Sequence, residues 1–160
     1  MPEKLKELSR PTGISRLLYR LPILLYKIGL GWILGKRFLL LTHTGRISGE
    51  QRHSVIEVVR YDEESHSYFV ASGWGTRSDW YKNLNANPNV TIQSGREKMP
   101  AVARRLDAKQ AGNELLAYKN KHPALWKELV EFIGYSVDGT DEDIFALGEL
   151  IPLFAFEPRT

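Results

Sequence analysis

Apolar periodicity changes character near residue 36. Before it, Ile14, Leu17, Leu18, Leu21, Leu24, Leu25 and Ile28 recur at helical spacing over residues 14–34, with Arg16, Arg20 and Lys27 among them. Pro22 bends or restarts such a helix, and Gly29, Gly31 and Gly35 loosen its end. Arg20 and Lys27 keep every apolar run short of a bilayer span. Two readings stand for residues 1–35: a helix packed on the core, which the pattern favours, or a cationic amphipathic helix lying on a membrane surface.

After residue 36 the pattern shortens to that of strands. Phe38–Thr42, Ser54–Tyr61, Tyr68–Ser72, Val90–Gln93, Met99–Leu106 and Leu153–Phe156 are apolar or alternating runs bounded by turn residues. Between the third and fourth, Ser78 suits a helix N-cap, Asp79 the positive helix start, and Asn87-Pro88 the end. Asp107 caps a helix through Tyr118, Pro123 opens another, and Asp141–Leu147 forms a short third. About six mainly antiparallel strands with helices around them predict an α+β fold, a small barrel with peripheral helices over residues 36–160. No repeat, low-complexity tract or linker points to a second domain.

Composition narrows the chemistry. With 42% hydrophobic and 26% charged residues, the 160-residue chain is that of an ordinary globular protein. The absence of cysteine excludes disulfides and thiolate chemistry. His43, His53, His66 and His122 lack the spacing of a metal site, so no metal is expected. A formal charge of +3, spread along the chain, argues against nucleic acid as a partner. No cleavable leader is apparent after the charged first ten residues, and a cytoplasmic location is expected, with membrane contact through the first helix as the lesser alternative.

Two stretches carry candidate chemistry. In "LLLTHTGRISGEQRH", residues 39–53, Gly45 and Gly49 let backbone approach a ligand and expose its amides. Arg46 and Arg52 offer planar forks for phosphate or carboxylate, and Thr44 and Ser48 add hydroxyls. The competing reading is a solvated loop whose arginines pair with Glu50 and Glu57; spacing alone leaves the two nearly even. In "ASGWGTRSDW", Gly73 and Gly75 bracket Trp74, which either lies over a flat ring or packs in the core. Trp80 reads as core from its spacing to Leu84. There is no dinucleotide fingerprint and no nucleophile elbow. Acid–base machinery this sparse points to chemistry residing in a bound cofactor.

These stretches, with "WYKNLNANP" and the closing "IPLFAFEP", resemble the deazaflavin-dependent nitroreductase family over roughly residues 36–158. That family comprises small split β-barrels related to FMN-binding barrels. The resemblance implies an oxidoreductase using coenzyme F420, an 8-hydroxy-5-deazaflavin with a phosphate and a glutamate tail. It would pass hydride to a quinone or nitroaromatic acceptor, as a homodimer. By matching position, it implies that Arg46, Ser48, Gly49 and Arg52 hold phosphate and tail, with Ser54 and Glu57 along the ring-binding strand. Ala71, Ser72 and Gly73 would line the deazaflavin, Trp74 would cover it, and Asp79, Trp80 and Asn83 would close the pocket. Ser72 or Tyr135 would donate a hydrogen bond or proton. Two departures stand out: Ile47 replaces a usual basic residue, and the loop after Ser72 is shorter and lacks a lysine. The lower charge leaves FMN as the alternative cofactor, and a non-catalytic flavin or deazaflavin carrier as the alternative function.

Overall fold

Alternation decides the architecture. In Phe38–Thr44 (β2) the residues Leu39, Leu41 and His43 share one face and are buried. In Gln51–Asp62 (β3) their partners Ile56, Ser54 and Arg52 lie on that same face. A computed structural model describes residues 2–4, 23–26, 28, 37–72, 78–133 and 135–159. Its other strands are Glu3–Lys4 (β1), Ser67–Ala71 (β4), Asn89–Ser94 (β5), Glu97–Arg105 (β6), Tyr135–Ser136 (β7) and Leu153–Pro158 (β8). Six of them close an antiparallel barrel in the order β2-β3-β4-β8-β6-β5. The expected α+β split barrel is the fold observed. The pair β1–β7, too short to leave a periodic signal, forms a separate two-stranded ribbon.

The helices are Asp79–Ala86 (α1), Ala108–Lys121 (α2), Pro123–Ile133 (α3) and Asp141–Leu150 (α4). They divide the apolar residues into two cores. Inside the barrel, Leu39, Leu41, Ile56, Tyr68, Val70, Ile92, Ala101, Phe154 and Phe156 pack together, and α1 contributes Trp80, Tyr81 and Leu84. Outside, Val59, Phe69, Leu153 and Ala155 on the opposite strand faces pack against Leu115, Trp126, Ile144 and Leu147 of the outer helices. Strand β8 is therefore buried on both faces, and its unbroken apolar run follows from that. A bulge at Val58–Arg60 places both Val59 and Arg60 outward. Arg60 lies over the Phe69 ring at 4.2 Å and forks onto Glu114 of α2 at 2.8 and 2.9 Å.

Helices α2 and α4 meet at glycines. A Cβ on Gly148 would stand 2.8 Å from the Gly112 amide nitrogen and 3.2 Å from the Ala108 carbonyl oxygen. Backbone cannot swing aside as a side-chain tip can. Gly148→Ala is therefore expected to lose about 1–3 kcal/mol of stability through overpacking, outweighing the ~1 kcal/mol that alanine gains in helix propensity. Urea unfolding measures the balance, and an unchanged midpoint would refute the close contact.

Most of the predicted helix at 14–34, and with it the boundary near residue 35, lies outside the described residues. Within them, Tyr26 is buried and its hydroxyl donates to the Phe38 carbonyl at 3.3 Å. Leu24 and Ile28 are exposed. Among the described residues, no helix is long and apolar enough to cross a membrane.

Candidate functional site

The ladder continues to Thr44 and Gln51, so the connection between β2 and β3 is shorter than the apolar pattern suggests. Arg52 and Ser54 are strand residues; the loop is Gly45 to Glu50. The Gly45 amide donates to the Glu50 carbonyl at 2.8 Å and the Gly49 amide to the Gly45 carbonyl at 2.9 Å. Gly49 has φ +73°, a conformation that glycine adopts without strain. The Glu50 amide donates to Ser48 Oγ at 3.2 Å, and the Arg46 amide to Asn83 Oδ1 at 3.1 Å. The expectation of freely exposed amides is thus corrected: four of them hold the loop's own shape. Those of Ile47 and Ser48, at the apex, have no acceptor among the described residues.

Helix α1 supplies the opposite wall. Ser78 caps it, its Oγ accepting from the Tyr81 amide. The helix lies across the barrel end where His43, Val70 and Phe154 terminate the interior rows. Its two sides are tied by polar contacts. Asn83 Nδ2 sits 3.0 Å from His43 Nδ1 on the β2 side, and Arg105 donates to the Tyr81 hydroxyl at 2.6 Å on the β6 side.

Between hairpin and helix lies a cleft of about 520 Å³, lined by His43, Gly45, Arg46, Ile47, Ser48, Arg52, His53, Ser54, Asp79 and Asn83. Arg46 Nη1 donates to Asn83 Oδ1 at 2.9 Å, and Arg46 Nη2 stands 3.6 Å from Asp79. Arg52 leans on Glu50 at 3.6 Å and is more exposed than Arg46. His43, 3% exposed, has Nε2 3.1 Å from Ser54 Oγ. Burial holds its pKa down to about 4, helped by His53 and Arg52 and opposed by Asp79. His53, facing the other side of β3, has Nδ1 3.1 Å from Thr42 Oγ1. Two arginines and three hydroxyl or amide side chains stand at this cleft with Asp79, and Glu50 lies beside Arg52; the spare donors have the chemistry to meet the oxygens of an anionic ligand.

Arg46, Ser48, Arg52, Ser54, Asp79 and Asn83, all singled out from the sequence, meet at this cleft. Gly49 shapes its loop. Others do not reach it. Glu57 lies on the outer barrel face because its parity is opposite to that of Ile56, and it pairs with Arg37 at 3.5 Å. Ala71 faces the outer helices. Ser72 is fully buried, its Oγ 3.0 Å from Ser78 Oγ and its amide bonded to the Pro152 carbonyl. Trp80 is in the barrel core, edge-on to Phe154 at 5.6 Å, because α1 turns that face inward. Tyr135 sits on β7 opposite Lys4 and packs on the outer core. Gly73 and Trp74 lie outside the described residues. His43 and His53 also line the cleft, although no sequence motif marks them. The signal for His43 was present in its shared parity with Leu39 and Leu41. No group of acidic or histidine side chains among the described residues could hold a metal.

The chain is similar in sequence and fold to known proteins. The family model described as F420H(2)-dependent quinone reductase matches residues 26–128. The solved structure of an F420-H2 dependent reductase, FDR-A, is 25% identical over 77% of this chain and 96% of its own, with a TM-score of 0.52. A structure described as a domain-swapped dimer is 22% identical over 91% of this chain and 100% of its own, TM-score 0.54. The conserved hypothetical protein Rv2991 from Mycobacterium tuberculosis shares the fold at 11% identity, over 84% of this chain and 80% of its own, TM-score 0.53. No curated protein matches the sequence.

Proposed function

This chain belongs to the F420H(2)-dependent quinone reductase family, and on that premise we propose that it reduces a quinone at the expense of reduced coenzyme F420. It is an oxidoreductase of the F420-dependent kind, within the wider deazaflavin-dependent nitroreductase group. The observation that carries the reading is the cleft, where Arg46 and Arg52 each lie beside one carboxylate (Asp79 and Glu50) and keep further N–H groups for the oxygens of a ligand. Its volume of about 520 Å³ suits a cofactor-sized ligand.

When bound in this cleft, reduced F420 would supply the hydride that, together with one proton, takes a quinone to its quinol. The protein's part is to bind, orient and shield. Arg52, with its weaker internal tie, takes phosphate or tail carboxylates, and Ser48 adds a hydroxyl donor at the loop apex. Arg46, already positioned by Asn83 and Asp79, presents its remaining N–H groups to the same anion. Because Ser72 is fully buried, its role is to hold the end of β4 to the N-cap of α1. Tyr135 belongs to the outer core. Neither is assigned a proton-transfer role.

Arg52→Ala is expected to weaken F420 binding roughly ten- to a hundredfold, equivalent to about 1.5–3 kcal/mol for one charge-assisted contact. Fluorescence titration of the free protein with F420, and in parallel with FMN, measures it. Tight FMN binding with none for F420 would transfer the reading to an FMN reductase. Turnover of reduced F420 with menadione and with a nitroaromatic tests the acceptor. A single stoichiometric reoxidation without turnover would make the protein a carrier.

A further inference from the structure

From Arg46 to Ser54, the hydrogen bonds of the cleft wall run in one direction only. Arginine donates and never accepts, and both the Arg46 amide and its Nη1 converge on one atom of Asn83. That atom must be the oxygen. Asn83 therefore turns its NH2 toward His43, and His43 Nδ1, 3.0 Å away, must accept. A neutral imidazole accepting at Nδ1 carries its hydrogen on Nε2, where it donates to Ser54 Oγ at 3.1 Å. Ser54 Oγ thus has an acceptor site filled from behind. Its own hydrogen has no acceptor among the described residues, and Ser54 lines the cleft.

We propose that His43, fixed in its Nε2–H tautomer by Asn83 and Arg46, is a positioning residue that presents the Ser54 hydroxyl as a donor to an acceptor oxygen of the bound coenzyme. This rests on the F420 reading above. Protonation of His43 would set an imidazolium N–H against the Asn83 NH2 and break the direction of the series. The burial that keeps His43 neutral serves the same end. The arrangement is preorganised: the donor is aimed before the ligand arrives, so no rotor must be ordered on binding. The loop and helix that meet in it are separated by 37 residues in sequence, so one amide side chain also holds the cleft's two walls in register.

The substitutions that test it separate the two ends of the imidazole. In His43→Asn, a side-chain oxygen near the Nδ1 position keeps a partner for Asn83 while the donor to Ser54 is lost. Ser54→Ala removes the presented hydroxyl itself. Each is expected to weaken F420 binding about five- to tenfold, and the double variant no more than Ser54→Ala alone. Titration with the phosphate-free deazaflavin riboside identifies the acceptor. An equal loss for riboside and F420 places it on the ring or ribityl portion, and a loss for F420 alone places it on the phosphate or tail.

A second measurement needs no coenzyme. Nitrogen-15 NMR of histidine-labelled free protein should show His43 as the Nε2–H tautomer in wild type and a tautomer mixture in Asn83→Ala. An Nδ1–H tautomer in wild type, unaltered F420 affinity in Ser54→Ala, or additive losses in the double variant would each overturn the inference while leaving the F420 assignment intact. Failure of the wild-type protein to bind F420 would overturn both.

Discussion

Trp80→Ala is expected to cost the ligand-free protein about 3–5 kcal/mol of stability, the range for deleting a large aromatic from a packed core. The family resemblance assigns Trp80 to the cofactor pocket, whereas the fold buries it to 7% exposure inside the barrel, against Phe154 and beside Tyr81 and Leu84. The two assignments separate cleanly in energetics. A pocket-wall tryptophan leaves the free protein nearly as stable as before and loses affinity; a core tryptophan loses stability first. Urea unfolding without ligand, followed by F420 titration of whatever remains folded, distinguishes them. Trp80→Phe, which keeps an aromatic edge for Phe154, should recover a good part of the loss. An Ala variant as stable as wild type would return Trp80 to the pocket.

Acid is expected to weaken the fold through His43. Burial pushes its pKa in the folded protein down to about 4, below the ordinary histidine value of 6.5, so between those values the unfolded chain binds a proton that the folded chain refuses. The stabilisation is fully present above about pH 6.5 and drains away as pH falls toward 4, amounting to about 3 kcal/mol for a shift of this size. His53 and Arg52 push in the same direction and Asp79 against it, but burial is the largest cause. Urea unfolding at intervals from pH 7.5 to 4.5 measures the slope in wild type and in His43→Asn. The variant should be less stable at neutral pH yet flatter with pH. Parallel slopes would mean that the acid sensitivity resides elsewhere. F420 affinity of the folded protein should hold through most of that window and fall only near pH 4, where His43 itself takes up a proton and no longer accepts from Asn83.

What could be read without the structure were the features that a few neighbouring residues settle among themselves. The N-caps at Ser78 and Asp107 are such cases: the cap side chain reaches a backbone N–H three residues on, and Gln110 completes the box. Strand positions followed from alternation, with ends short by one to three residues where polar edges such as Gln51-Arg52-His53 hide the ladder. The two-residue strands β1 and β7 left no pattern at all, since their pairing joins residues more than 130 apart in sequence. The donor-rich loop and its two arginines were legible as chemistry, because residue type alone limits what a guanidinium can do.

Only the closed barrel decided which faces meet. Glu57 and Ile56 are adjacent in sequence, yet one step of strand parity sends the carboxylate outward to Arg37 and the isoleucine into the core. Trp80 and Asn83 lie within one turn of the same helix. The orientation of that helix across the barrel end buries the first against Phe154 and brings the second to His43, 40 residues away. A local pattern records which residues share a face of their own element. It carries no information on what lies opposite, and in this protein the cleft is made wholly from what lies opposite: a hairpin against a helix, joined through one asparagine.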